Sequence, residues 1–186
     1  MANEVEIKFA ISNLKELRTK LKQQKFREIT PRTHEMNTLY DGALRPLKRR
    51  GEVLRIRKYG DDWKLTHKSK GKTGRHKTRK ETETAVSDGN KLEEVFLALG
   101  LKPAFRYEKF RSEWTDGSGH VVLDETPIGS FGEIEGPPRW IDRVAKALAI
   151  PREQYITKSY AELFYAWKRR RRSRAQNMTF AEVKRS

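Results

Sequence analysis

Cysteine is absent from the 186 residues, so neither a disulfide nor a thiolate metal site is available. No apolar run approaches the roughly 20 residues that cross a bilayer as a helix. The N-terminus enters a strand pattern at once, without the layout of a secretory signal. A cytoplasmic protein with no membrane partner is expected. Histidine is scarce: His34, His67, His76 and His120 are the four, and they show no ligand spacing for zinc. Gly71-Lys72-Thr73 lacks the earlier glycine that a P-loop needs, and no Gly-rich dinucleotide fingerprint occurs. No Ser-His-Asp set suggests itself. Internal repeats of about 20–50 residues are missing. Strand and helix patterns do not alternate as βαβ, which argues against a parallel sheet.

Positive charge, by contrast, is in surplus, with 41 Lys and Arg against 25 Asp and Glu, a net +16. Its location weakens a nucleic-acid reading. Lys68 to Lys80 and residues 168–186 each carry a net +7, so the remainder is nearly neutral. Such blocks mark solvated segments that attract polyanions without sequence preference. Residues 168–186 read as a disordered basic tail, with only Phe180 available past the arginine run for base stacking. The body, residues 1–167, is one domain, large enough for a core.

The first strand shows the unusual feature. In Glu4-Val5-Glu6-Ile7-Lys8-Phe9, alternate side chains share a face. One face is apolar and the other carries two acids and a base, which a dry interior would not hold. The pattern recurs. The hairpin across Gly60-Asp61-Asp62 offers Arg55, Arg57, Lys64 and Lys68, and Arg79 to Val86 offers Glu81 and Glu83. Later strands offer Lys109 and Arg111, then Asp124, then Glu133 and Glu135. A solvated outer face is the bland alternative for any one strand. Across the set, nearly every position is a full charge, and acids and bases segregate by strand. Helices are expected after Ser12 and Ser87-Asp88, around Trp140 to Leu148, and from a capping box at Ser159-x-x-Glu162. Gly100 is placed to end the second of them. About eight strands and three or four helices suggest a mainly β, α+β fold. The strands would form a closed antiparallel barrel with a wet, charged lumen.

Such a lumen suits a chain of phosphates. Arg grips phosphate oxygens bidentately and Lys supplies a point charge. Carboxylates with no His or Cys among them favour Mg²⁺ or Mn²⁺.

The ordered motifs resemble those of the CYTH superfamily, the triphosphate tunnel metalloenzymes. They are Glu4-x-Glu6-x-Lys8, Leu54-Arg55-Ile56-Arg57, Lys64-x-Thr66-x-Lys68, Glu81-x-Glu83, Glu108-Lys109-Phe110-Arg111, Leu123-Asp124, Gly129-x-Phe131-Gly132-Glu133-Ile134-Glu135 and Lys158-Ser159-Tyr160. The resemblance spans residues 2–167 and implies an eight-stranded antiparallel tunnel with helices outside. It implies that Lys8, Arg55, Arg57, Lys64, Lys68, Lys109, Arg111 and Lys158 hold phosphates. Glu4, Glu6, Asp124, Glu133 and Glu135 would serve the metal. The catalytic set would be Glu4, Glu6, Lys8, Glu81 and Glu83, the last two positioning either the bases or a water. Lys158 precedes a helix that would plug or flank one tunnel end. The expected activity is divalent-metal-dependent hydrolysis of inorganic triphosphate, thiamine triphosphate or a nucleoside triphosphate. A class IV adenylate cyclase making cyclic AMP and pyrophosphate is the close alternative, and no residue decides between them. A non-catalytic polyphosphate or RNA binder is a third reading, motivated by the basic blocks. The molecule is expected to act as a monomer or homodimer.

Overall fold

The computed structural model describes residues 2–185. Among these described residues, nine strands run in chain order as β1 (Ala2–Ile11), β2 (Arg27–Asp41), β3 (Val53–Tyr59), β4 (Asp62–Lys68), β5 (Lys72–Thr73), β6 (Lys77–Val86), β7 (Lys102–Thr115), β8 (His120–Thr126) and β9 (Gly129–Glu135). The helices are α1 (Leu14–Gln23), α2 (Pro46–Arg50), α3 (Gly89–Ala98), α4 (Pro138–Ala147), α5 (Tyr160–Arg171) and α6 (Phe180–Lys184). The long strands pair antiparallel in the order β1-β9-β8-β7-β2-β3-β4-β6. Strand β6 then returns to β1, with Glu4 opposite Arg79 and Glu6 opposite Lys77, closing an eight-stranded barrel. The two-residue β5 hangs on β6 alone.

Register decides which side chains meet. Residues directly opposite in a ladder point to the same face. Lys8 opposes Glu133, Arg111 opposes Asp124, and Arg57 opposes Lys64. Ile7 opposes Ile134 on the other face. The barrel is therefore charged inside and apolar outside, and helices cover the outside. Ile7, Phe9, Val121 and Ile134 pack with Leu17 and Leu21 of α1 and with Trp140, Ile141 and Val144 of α4. Each such burial contributes about 1.5–3 kcal/mol. Within the wall, Gly132 of β9 makes room for the ring of its cross-strand partner Phe9, from which a Cβ would lie 2.1 Å.

Local signals place the helices with small shifts. Asn13, not Ser12, caps α1 by accepting from the Glu16 N–H. Asp88 caps α3, and Gly100 follows its end at φ +79°. The capping box of α5 forms as its sequence suggests, between Ser159 and Glu162. In β2, the pairing shifts register on both sides of Thr30, a break imposed by Pro31, which has no N–H to donate.

The tail differs from its expected disorder. Residues 173–178 turn back from α5 onto the free edge of β7, where Met178 donates to the Arg106 carbonyl (3.0 Å) and accepts from the Glu108 N–H (3.1 Å). Met178 is fully buried beside Phe105, Tyr107 and Phe164. The arginine run dominates the composition of this segment and masks the few apolar residues that fix it. Together α5 and the tail pack aromatic rings against Phe105, Tyr107 and Phe131 of the barrel, a plug that leaves the cavity open beside Tyr165.

Candidate active site

The lumen is a cavity of about 1380 Å³. Every charged strand position singled out from the sequence lines it except Asp124, and Lys158 lies at its rim.

At one end the acids gather. Lys68 lies 2.6 Å from Glu4 and 3.0 Å from Glu81, and Lys77 lies 3.2 Å from Glu6. Glu135 has no ion pair among the described residues. Burial pushes its carboxyl up to about 7, with Glu4, Glu133 and Glu6 adding repulsion against the help of Lys68. Burial likewise raises Glu4, with Glu6 and Glu81 adding repulsion that Lys68 only partly offsets. Glu6 goes the other way: burial resists its ionisation, but Lys8 and Lys77 hold it below the ordinary carboxylate value. This end therefore carries more negative charge than its bases neutralise.

Deeper in, the network is dense. Glu133 is held by Lys8 and by Arg111 at 2.6 Å. Asp124 is fully buried and accepts from Lys109 (2.9 Å), twice from Arg111 (both 2.7 Å) and from the Tyr160 hydroxyl (2.6 Å). The resemblance implies Asp124 as a metal ligand; in the structure its oxygens accept from four donor atoms, on Lys109, Arg111 and Tyr160. Burial, followed by the Asp124 charge, raises Tyr160 well above the usual phenol value, keeping that proton in place. The Tyr160 ring also sits 4.4 Å from the Lys8 ammonium and 4.8 Å from that of Lys109.

On the opposite wall, Arg55 donates to the Tyr107 hydroxyl (3.3 Å) and to Thr66 (3.2 Å). Glu83 accepts from Arg57 (3.0 Å), Lys64 (2.9 Å) and Thr66 (3.0 Å). Burial would raise the Glu83 carboxyl, but Lys64, Arg57 and Thr66 hold it low. Glu81 and Glu83 thus both lie against bases, Lys68 for the first and Arg57 and Lys64 for the second.

Several lumen residues escaped the sequence reading. Glu35 is fully buried on β2, 3.4 Å from Lys109 and 3.7 Å from both Arg57 and Arg111. Burial opposes its charge, yet these cations and Arg55 hold it far below the ordinary value. Asn37 donates to it at 2.8 Å. Tyr107, Tyr160, Lys77 and Arg79 also face the cavity. The period of two in Glu35-Asn37-Leu39 was available as a signal, but the break at Thr30-Pro31 obscured it. Lys77 and Arg79 were hidden at the junction with the basic insert.

The acid end fits a hard divalent cation. Its donors are carboxylate oxygens alone, and its charge is under-compensated. Among the described residues no three of these acids already converge as a cage, because Lys68 and Lys77 occupy two of them. Glu4, Glu6 and Glu135 would hold the ion once those lysines turn to phosphate.

Known proteins share this architecture. A Methanocaldococcus jannaschii protein provisionally named an adenylate cyclase is 29% identical over 171 residues, covering 86% of this chain and 97% of its own. A Pyrococcus horikoshii structure aligns with TM-score 0.74 at 26% identity, covering 88% of this chain and 98% of its own. A Hippeastrum protein, a provisional adenylyl cyclase described as having a dominant triphosphatase activity, aligns with TM-score 0.59 at 20% identity, covering 88% and 95%. The CYTH domain model matches residues 2–165, and on that match, carried by this charged tunnel, the chain belongs to the CYTH family.

Proposed function

We propose that this protein hydrolyses a triphosphate substrate held in the tunnel, with Mg²⁺ or Mn²⁺ at the acid end. One observation carries the reading: a lumen in which an array of bases stands beside acids that lack enough positive charge of their own. Arg55, Arg57, Lys64, Lys109 and Arg111 would grip successive phosphates, turning their remaining N–H groups toward phosphate oxygens. Asp124, Glu35 and Glu83 would keep those bases in place, so that little reorganisation is needed on binding. Lys8 and Lys68 lie between the two regions and would span metal-side and phosphate-side charge. Bound there, the cation would neutralise developing phosphate charge and favour an attacking water. The same machinery serves inorganic triphosphate, thiamine triphosphate or a nucleoside triphosphate. The name carried by the Methanocaldococcus relative favours a second reading, class IV adenylate cyclase.

Product analysis separates them. The protein is incubated with Mg²⁺ and either tripolyphosphate or ATP. Orthophosphate without cyclic nucleotide supports hydrolysis; cyclic AMP with pyrophosphate overturns it in favour of cyclisation. Glu6→Gln should lower turnover on the order of 100-fold or more, since even outer partners of metal ligands are worth 10–100-fold.

A further inference from the structure

The tunnel does not stop at the bases that would hold three phosphates. Its cavity also takes in Arg45 and Lys48, at the start of α2, and Tyr165 on α5. A second cleft of about 450 Å³ shares Arg45, Phe105 and Tyr165 with it and continues to Arg106, Gln176 and Asn177. The passage therefore runs from the lumen onto the surface that the C-terminal segment builds.

That path is cationic. Arg45 and Lys48 are exposed and make no salt bridge among the described residues. The Lys48 ammonium lies 5.8 Å from the Tyr165 ring. Side chains four apart share a helix face, so Arg169 continues the line of Tyr165 along α5, and Arg172 follows as the left-handed C-cap of that helix. Neither has an acidic partner among the described residues. They do not sit on a mobile tail: Met178 and the Glu108 contacts tie the following segment to β7, and Asn177 accepts from the Arg106 N–H at 2.9 Å.

The geometry points to this vestibule as a binding extension for a linear inorganic polyphosphate longer than the three units the tunnel would grip. The inference rests on the tunnel being a triphosphate site. A repeating anion needs only spaced cations, which the vestibule has. A nucleic-acid strand would also use successive exposed aromatic platforms; here Trp167 is stacked on Phe164, Phe105 is buried, and the half-buried Tyr165 by itself offers no run of rings. Holding one chain at both places raises affinity through effective concentration.

The test is calorimetric titration of the full-length protein, without divalent metal so that nothing turns over. The ligands are tripolyphosphate, long-chain polyphosphate and a 5′-triphosphorylated RNA oligonucleotide. The proteins are wild type, Arg45→Ser/Lys48→Ser and Arg169→Ser/Arg172→Ser. Wild type should bind the long chain at least about tenfold more tightly than tripolyphosphate, per chain end. Each variant should erase most of that ratio while both ligands still bind. A ratio near one, or one unmoved by either variant, overturns the vestibule and leaves the tunnel standing. A gain seen only with RNA overturns it in favour of a nucleic-acid strand. Failure of tripolyphosphate itself to bind removes the tunnel reading, and this extension with it.

Discussion

Glu35 shows how single residues set this site. It is a fully buried carboxylate among Lys109, Arg111 and Arg57. Removing one member of a buried ion set leaves the others uncompensated. Glu35→Leu should lower stability by about 3 kcal/mol, read from urea unfolding, and should weaken tripolyphosphate binding because the bases lose their common anchor. An unchanged midpoint would contradict that role. Glu135 gives the pH dependence. Its folded value, about 7, exceeds the ordinary carboxylate 4.5, so the folded state binds this proton more tightly than the unfolded one. The contribution is full below about 4.5 and is lost as pH rises through about 7. Metal-free protein should therefore lose roughly 2 kcal/mol from this group between pH 5 and 8. In Glu135→Gln the slope should flatten, a comparison that also cancels the opposite pull of the depressed His76. Added Mg²⁺ should restore wild-type stability at pH 8. Equal slopes in the two proteins, followed by thermal melting, would count against an under-compensated acid end.

At the scale of elements, the tail is the sharpest case. Its Met178 is buried among aromatic rings of the barrel plug, and Glu182 accepts from the Gln176 and Asn177 N–H groups at 2.7 and 3.0 Å. Met178→Ala should cost about 2–4 kcal/mol, and truncation after Arg172 should cost at least as much by thermal melting. A truncated chain as stable as the whole would show the segment to be dispensable. The sequence hid this because the segment is short and is ordered by long-range contacts: the ladder to Arg106, and Phe180 against Phe110 at 5.5 Å. Elements with local signals were legible. The β3–β4 hairpin announced itself by period-two alternation and a Gly-Asp-Asp turn, α3 by its Asp88 cap and Gly100 stop, and α5 by its capping box. The five-residue α2 has neither a side-chain cap nor a buried residue to betray it.

For the molecule as a whole, one inversion governs everything: the sheet turns its apolar face outward to helices and its charged face into a shared channel. This much was readable because alternation fixes faces, and because the charge pattern repeated on strand after strand. Closure was not readable residue by residue. It depends on β6 returning to β1, a pairing between segments about 75 positions apart for which no local pattern exists. The surroundings of inward residues depend in turn on that closure: Asp124 accepts from Lys109, Arg111 and Tyr160, an engagement for which its own strand carries no signal. The most direct measurement is a crystal structure with tripolyphosphate and Mn²⁺, the ion located by its anomalous signal. Phosphate density is expected between Arg55, Arg57, Lys109 and Arg111, and an anomalous peak beside Glu4, Glu6 and Glu135. Phosphate held only on the outer arginines of α5, with no ion at the acid end, would contradict it.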